Sequence, residues 1–273
     1  MRIRTLEHRH GGIEHGFIRR IISPESVGER LKPFVFLDFT HGTIPENGGF
    51  GYHPHSGIAT ITYQQVVDIH YEDTTGQHGV VEARGIEYVQ TGGCIWHRAL
   101  MKQRGDNALG FQLWIALTPR EEEAAPHAQY IAPQDVKASG AVRVILGEYE
   151  GTRSQIETPY PVNYFDVTME EGQTWSYLPP DSHDVVWAFV YQGTAQVAEH
   201  STQEELLIFD REPGTLAVTA KTKLGMMVGS APRHPYPLVV GRNSVHTSKE
   251  ALRASEARIA QLGASLRQQG RIP

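Results

Sequence analysis

Short apolar runs, interrupted at close intervals by glycine and proline, limit most strongly how this chain can fold. Residues 111–117 alternate, with Phe111, Leu113, Ile115 and Leu117 on one side. Because successive side chains of a strand point to opposite faces, this period of two predicts a β-strand with one buried face. Similar runs occupy residues 33–39, 185–190, 206–209 and 216–219. Many short strands with frequent turn residues are typical of sandwiches and barrels, so we predict an all-β fold.

One segment breaks this rhythm and predicts a boundary between two β-domains. Residues 118–140 combine three prolines with a run of one arginine and three glutamates, a composition that suits a connection. We therefore predict an N-terminal domain at residues 1–130 and a C-terminal domain at residues 131–246.

The last part of the chain carries the one strong helix signal. Thr247 and Glu250 have the spacing of a capping box, and leucine and isoleucine then recur at helical intervals. These features predict a helix over residues 247–268 that packs on a β-domain.

The two halves of the chain share a faint repeat, which a duplicated barrel explains and which chance similarity could also produce. Two pairs of segments can be laid on each other: residues 53–63 on 181–191, and residues 84–91 on the one residue shorter 213–219. The first pair sets His55 against His183, but the second half keeps at most one histidine of the three discussed below. We therefore predict no metal site in the C-terminal domain, and we interpret Asp181 and His183 as surface or turn residues.

Composition and charge restrict the classes of partner. The chain has 273 residues, a formal net charge of −6 with both signs mixed, and a single cysteine, Cys94. Mixed charge gives no basic surface for nucleic acid, and no apolar stretch is as long as a membrane span. One cysteine excludes an internal disulfide and fits a reducing compartment. We expect a cytoplasmic monomer that binds neither nucleic acid nor membrane.

Three histidines form the candidate metal site. His53 and His55 are two residues apart at the start of a strand-like run, so both imidazoles can leave the same face, and His97 follows another such run. Three imidazoles on neighbouring strands can hold a divalent metal and leave positions open, although iron, nickel, copper and zinc all accept such ligands. The alternative is that these are surface histidines in glycine-rich loops.

Several of these segments together resemble the pirin family, a branch of the cupin superfamily with two barrels in one chain. The early strand at residues 33–39, the Tyr-His-Pro-His-Ser-Gly motif at 52–57 and the Asp-Thr-Thr-Gly turn at 73–76 are similar to family motifs. So are the Thr-Gly-Gly-Cys-Ile-Trp-His segment at 91–97 and the Gly-Phe-Gln-Leu-Trp strand at 110–114. The resemblance covers most of the chain and implies two stacked cupin barrels followed by the C-terminal helix.

The resemblance also implies a metal, usually iron, in the N-terminal barrel. The family's histidine ligands correspond to His53, His55 and His97, while its glutamate ligand corresponds to Ala99. A further glutamate that is usual in the family corresponds to Ala59. Without either carboxylate, we expect the metal to be bound more weakly.

Two functions follow from the resemblance. The first is a metal-dependent dioxygenase acting on a flavonol-like substrate of the quercetin type, or on another small aromatic or enolic anion, with catalytic residues that the sequence does not identify. The second is a non-enzymatic regulatory or protein-binding module whose metal site is weakened or lost.

Overall fold

A computed structural model describes residues 2–44, 48–102 and 107–273. As predicted, the fold is all-β, with two cupin-type barrels and a C-terminal helix. The strands from the first half of the described chain are β1 Leu6–His10, β2 Ile13–His15, β3 Ile18–Ile22, β4 Phe34–Gly42, β5 Gly49–His55, β6 Ile58–Gln64, β7 Asp68–Asp73, β8 His78–Val81, β9 Ile86–Gln90, β10 Ile95–Lys102, β11 Ala108–Ala116 and β12 His127–Ile131. Those from the second half are β13 Ala138–Ser139, β14 Val142–Leu146, β15 Glu148–Tyr149, β16 Thr152–Arg153, β17 Asn163–Met169, β18 Thr174–Tyr177, β19 Val185–Gln192, β20 Ala195–Val197, β21 His200–Thr202, β22 Leu206–Phe209, β23 Leu216–Ala220, β24 Leu224–Ala231, β25 Val239–Val240 and β26 Val245–His246. A π-helical turn, Pro24–Gly28, runs into the short α1 Glu29–Leu31, and α2 is Lys249–Gln268.

The unit formed by residues 14–135 and 234–273 contains the first barrel. Within the described residues its larger sheet has the order β12-β9-β6-β11-β4-β3-β2, and its smaller sheet has the order β5-β10-β7-β8. Strands β4, β6 and β11 are buried along most of their length, since aromatic and β-branched side chains cover both of their faces.

The unit formed by residues 1–13 and 136–233 repeats this arrangement. Its sheets have the orders β1-β22-β19-β24-β17-β14-β13 and β18-β23-β20-β21, with the small hairpin β15-β16 beside them. Strand β19 occupies the place of β6, which agrees with the first sequence match of the repeat. The second match is wrong, because the topological counterpart of β9 is β22 and not β23.

The two compact units interleave along the sequence, unlike the contiguous domains 1–130 and 131–246 of the sequence analysis. The N-terminal residues join the later unit because β1 pairs antiparallel with β22. Residues 118–140, interpreted as a connection, contain the change from one unit to the other after Asp135, and they also contain β12, which pairs with β9. The last residues return to the earlier unit through β25, β26 and α2. The boundaries of the two functional domains stay a prediction.

The C-terminal helix begins two residues later than predicted. Its N-cap is Ser248, whose Oγ accepts the backbone N–H of Ala251, and the helix runs to Gln268. Thr247 is not the cap, because its backbone N–H and its hydroxyl both donate to Glu122. The helix packs on β10 of its own unit, where the indole of Trp96 donates to the carbonyl of Ile259 at 3.1 Å. No helix among the described residues is long and apolar enough to cross a bilayer.

The interpretation of His183 as a surface or turn residue is wrong. Its side chain is 3% exposed, and Nδ1 lies 2.8 Å from the hydroxyl of Ser230. That hydroxyl also contacts Tyr177, which accepts a hydrogen bond from Asn163. His183 therefore belongs to a buried polar network, whereas Asp181 is exposed in a turn as predicted.

Candidate metal centre

Two paired strands bring the three predicted histidines together. Strand β5 lies antiparallel to β10, with His53 opposite His97 and His55 opposite Ile95. His53 and His55 leave the same face of β5 because they are two residues apart, and directly opposed residues share a face across an antiparallel pair. All three imidazoles therefore meet on one side of the smaller sheet.

The three rings are close enough to share one ion. Their ligand atoms all lie within 4.8 Å of one another, and Nε2 of His97 is 3.1 Å from Nε2 of His53. The ring centroids are 4.5 to 5.1 Å apart. An ion bound at about 2.0–2.1 Å from each nitrogen requires convergence of this kind.

Backbone carbonyls orient two of the rings. Nδ1 of His53 donates to the carbonyl of Gly51 at 2.7 Å, and Nδ1 of His55 donates to the carbonyl of Asn243 at 3.0 Å. Since a neutral imidazole carries one proton, these bonds leave the lone pair on Nε2 of each ring. Nε2 of His55 is buried and finds no hydrogen-bond partner among the described residues, so it fits the role of a metal ligand.

Burial keeps the triad neutral, which metal binding also requires. Desolvation lowers the pKa of His53, lowers that of His55 to about 3 and lowers that of His97 well below its ordinary value. A neutral imidazole has the lone pair that a divalent ion needs. The residues present therefore fit a metal, and which metal they would hold is taken up below.

The two alanines that stand where the resemblance implies glutamate, Ala59 and Ala99, differ in their orientation relative to the triad. Ala99 lies on the His97 face of β10 and packs in an apolar cluster that includes Met101. Ala59 lies on the face of β6 opposite to Thr60, and Thr60 is the residue that pairs with Trp114. A glutamate at position 99 would thus point toward the triad, while one at position 59 would point away from it.

A small pocket of about 220 Å³ adjoins the triad within the same barrel. Its walls include the rings of Phe36 and Trp114, which stack with their centroids 4.1 Å apart. The ring of His55 meets Trp114 edge-on at 4.9 Å. Phe50 and His53 also line the pocket. An apolar, aromatic wall beside the imidazoles suits an unsaturated ligand.

The same pocket has a polar wall that the sequence analysis did not identify. Arg20, Asp38 and Gln112 stand in one cross-strand row over β3, β4 and β11. Two hydrogen bonds join Arg20 to Asp38, at 3.0 and 3.1 Å, and the guanidinium lies 4.4 Å from the centroid of Phe36. A signal was present, because Asp38 is the one charged residue in the apolar run at 33–39.

A buried polar network lies behind the triad. The hydroxyl of Ser56 is 2.8 Å from that of Ser244 and 2.9 Å from Nε2 of His246. Nδ1 of His246 lies 3.3 Å from Glu122, and Glu122 accepts the backbone N–H and the hydroxyl of Thr247. The order serine, histidine, glutamate matches hydrolytic triads, but Ser56 is 0% exposed, so no substrate reaches it. The network instead holds the segment that carries the Asn243 carbonyl.

Comparison with known proteins gives a consistent set of relatives. A family model described as Pirin matches residues 17–115. A pirin-like protein of Caulobacter vibrioides is 32% identical over 214 residues, which cover 75% of this chain and 76% of that protein. A pirin-like protein of Arabidopsis thaliana is 33% identical over 178 residues, covering 63% of this chain but only 56% of its own length.

Solved structures with the same fold are more distant in sequence. A quercetin 2,3-dioxygenase from Acinetobacter baumannii superimposes with a TM-score of 0.87 at 20% identity, over 95% of this chain and 98% of its own. A bacterial pirin from Escherichia coli, solved in complex with nickel(II), gives 0.65 at 16% identity, over 82% of this chain and 96% of its own. At these identities the likeness establishes the fold.

Proposed function

This chain belongs to the pirin family, and from that premise we propose that it is a metal-dependent dioxygenase acting on a flavonol-like substrate of the quercetin type. The observation that carries the proposal is the convergence of three neutral imidazoles, two of them buried and one half-buried, beside an aromatic pocket. The buried Nε2 of His55 has no hydrogen-bond partner among the described residues, which costs free energy, so the convergence of the three rings on one point has no evident use in packing alone. A structural neighbour named as a quercetin 2,3-dioxygenase supports the substrate class.

His53, His55 and His97 would hold the divalent metal through their Nε2 atoms. The ion would supply Lewis-acid attraction for an anionic substrate oxygen and a place at which molecular oxygen is organised. We propose iron as the native metal, because the family resemblance implies it. Nickel, copper and zinc are competitors, because imidazole accepts all four and a bacterial pirin of the same fold was solved with nickel(II). Three neutral ligands leave the charge of the ion uncompensated, which favours an anionic substrate.

The chain's own residues prepare the pocket for such a molecule. Phe36 and Trp114 stack on each other and form an apolar wall, and their burial excludes water from the side of the pocket next to His55. Gln112 offers an amide that can donate to or accept from a substrate oxygen. The carbonyls of Gly51 and Asn243 keep the imidazoles from rotating.

The test is anaerobic titration of metal-reconstituted protein with quercetin, followed by admission of oxygen. We expect the flavonol absorption to disappear faster than in a control with metal alone, and expect His55→Ala to abolish the acceleration. The matched control is His78→Ala, which removes an exposed histidine from the same barrel. Turnover that persists in His55→Ala would contradict the proposal, and so would the absence of turnover with every metal tested.

A second candidate function is a non-enzymatic regulatory or protein-binding module. The apolar packing around Ala99 favours it, since the barrel has no carboxylate at that place to strengthen metal binding. This candidate predicts that quercetin binds without being consumed in the same titration. Cytoplasmic location and the monomeric state stay predictions under either function.

A further inference from the structure

We propose that Asp38 is the catalytic proton acceptor of this pocket, taking the proton of an acidic enol or phenol hydroxyl from the bound substrate. The proposal rests on the dioxygenase function above and deepens it. It assigns to β4 the carboxylate that positions 59 and 99 do not supply, and it restricts the substrate to planar aromatic molecules that enter the pocket with an ionisable hydroxyl.

The position of Asp38 follows from strand register. Asp38 pairs with Gln112, and Phe36 pairs with Trp114, so the polar row and the aromatic row are neighbours on one face of the larger sheet. Trp114 in turn contacts the ring of His55. A ring placed against this aromatic wall, within the pocket that all these residues line, would therefore present its substituents to Asp38 and Gln112 on one side and to the triad on the other.

The surroundings of Asp38 suit a base, which must be ionised before the reaction and must then hold the proton that it accepts. Its side chain is 9% exposed, and burial raises the pKa of Asp38 while the guanidinium of Arg20 opposes that rise. Arg20 donates one hydrogen bond to each carboxylate oxygen, and each oxygen keeps a second lone pair that can accept a proton. Because Arg20 is also placed over Phe36, the carboxylate is held in one orientation.

The size of the pocket defines which part of a substrate it takes. About 220 Å³ is below the roughly 300–1,000 Å³ of pockets that enclose a drug-sized ligand. The pocket is therefore too small to enclose a whole flavonol, so part of the molecule stays outside when its hydroxyl enters. A single-ring enol or phenol would fit completely.

The proton step balances within the pocket. The O–H bond of the substrate hydroxyl breaks, an O–H bond forms on Asp38, and the negative charge moves from the carboxylate to the substrate oxygen. The substrate thereby becomes an oxyanion, the form that a cationic site attracts. Asp38 later returns the proton to the departing product or to water.

Glu87 provides a matched control for this assignment. It lies in the same cross-strand row, reached from Gln112 through Thr62, and it is 1% exposed. Glu87 is thus a second buried carboxylate of the same barrel, but it does not line the pocket. Burial raises the pKa of Glu87 to about 7, so Glu87→Gln tests the effect of losing a buried carboxyl group without removing the proposed base.

The experiment follows the ionisation of a bound probe and not turnover alone. 3-Hydroxyflavone, which has one acidic hydroxyl, is mixed anaerobically with metal-free and iron-loaded protein, and the visible band of its anion is recorded against pH. We expect wild-type protein to ionise the probe at neutral pH, Asp38→Asn to lose the anion band, Asp38→Glu to restore part of it, and Glu87→Gln to match wild type. On admission of oxygen, Asp38→Asn should lower kcat/KM by about 10²–10⁴-fold, the usual contribution of a general base.

Each outcome separates the two hypotheses. An anion band that persists in Asp38→Asn, or that disappears in Glu87→Gln and not in Asp38→Asn, overturns the role of Asp38. Ionisation that depends on Asp38 without oxygen-dependent loss of the probe overturns the dioxygenase and leaves Asp38 as the base of a binding site. Failure of wild-type protein to bind the probe, with or without metal, overturns both.

Discussion

Single residues on alternating strand positions decide how strongly the barrel can hold a metal. Ala99 shares the face of His97 on β10, whereas Ala59 points away from the face on which Thr60 meets Trp114. Since successive side chains of a strand alternate, one of the two missing carboxylates bears on the triad and the other does not.

We expect Ala99→Glu to raise the affinity for a divalent metal by about tenfold or more, a gain of about 1.4 kcal/mol, because it adds a negative ligand to three neutral ones. The larger side chain should also lower the stability of the metal-free protein, by about 1–3 kcal/mol, through overpacking of the apolar cluster. Competition with a chromogenic chelator measures the affinity. Ala59→Glu is the control and should give no gain, and equal gains in both variants would contradict the strand assignment.

The histidine triad could be predicted from sequence, while the polar wall of the pocket could not. The spacing of His53 and His55 places both on one face of a strand, so only the position of His97 depended on how the strands pair. Arg20 and Asp38 lie on two strands whose pairing is not encoded in any local pattern. Their ion pair becomes visible only when the register is known.

At the scale of elements, the segment before α2 is fixed to the segment that follows β11 by buried polar side chains. Glu122 is 2% exposed and contacts both His246 and Thr247. Burial alone would raise the pKa of Glu122, but hydrogen bonds from His246 and Thr247 outweigh it and hold the pKa below its ordinary value. The charged run that predicted a connection thus contains a structural anchor.

We expect Glu122→Gln to lower the free energy of unfolding by about 1–3 kcal/mol, since it weakens buried hydrogen bonds. It should also lower metal affinity by about tenfold, because the Asn243 carbonyl that orients His55 loses its support. Glu123→Gln, at the exposed neighbouring position, should change neither quantity. Urea denaturation measures the stability and chelator competition measures the metal affinity. An unchanged metal affinity would show that the network does not support the orientation of His55.

The pairing of β1 with β22 depends on a carboxylate at its end. Asp210 accepts hydrogen bonds from the side chain of Arg2 and from the backbone N–H of Thr5. Burial works against the charge, but these hydrogen bonds lower the pKa of Asp210 to about 2. The folded-state pKa is therefore below the unfolded value of about 3.9.

A lowered folded-state pKa stabilises the protein above the unfolded value, and this contribution is lost as the pH falls through about 4 toward 2. We expect Asp210→Asn to be less stable than wild type at pH 7, with the difference shrinking over that window. Denaturation at a series of pH values measures it, with the exposed Asp181→Asn as the control. A difference that is independent of pH would assign the effect to packing.

At the scale of the whole molecule, the sequence predicted the class of fold but not how the chain is divided. Alternating apolar residues identified the strands, and the repeat indicated two barrels. Alternation does not specify partners, so the pairing of β1 with β22 and of β12 with β9 was not foreseen. For the same reason the units interleave where contiguous domains were predicted.

Because the triad lies in the unit formed by residues 14–135 and 234–273, we expect metal to protect that unit selectively. At a free metal concentration 100 times the dissociation constant, binding should stabilise it by about 2.7 kcal/mol. Hydrogen exchange, followed separately on peptides of each unit, measures the effect. Equal protection of β19 and β24 in the other unit would contradict a site confined to the triad.

The most direct test of the central claim is the metal content of protein purified without chelators or an affinity tag, measured by elemental mass spectrometry for wild type and His97→Ala. Three converging imidazoles that form a metal site predict close to one divalent ion per wild-type chain and little or none in the variant. Near-stoichiometric metal that survives His97→Ala, or a wild-type chain that stays metal-free after reconstitution with iron, nickel, copper and zinc, would contradict it.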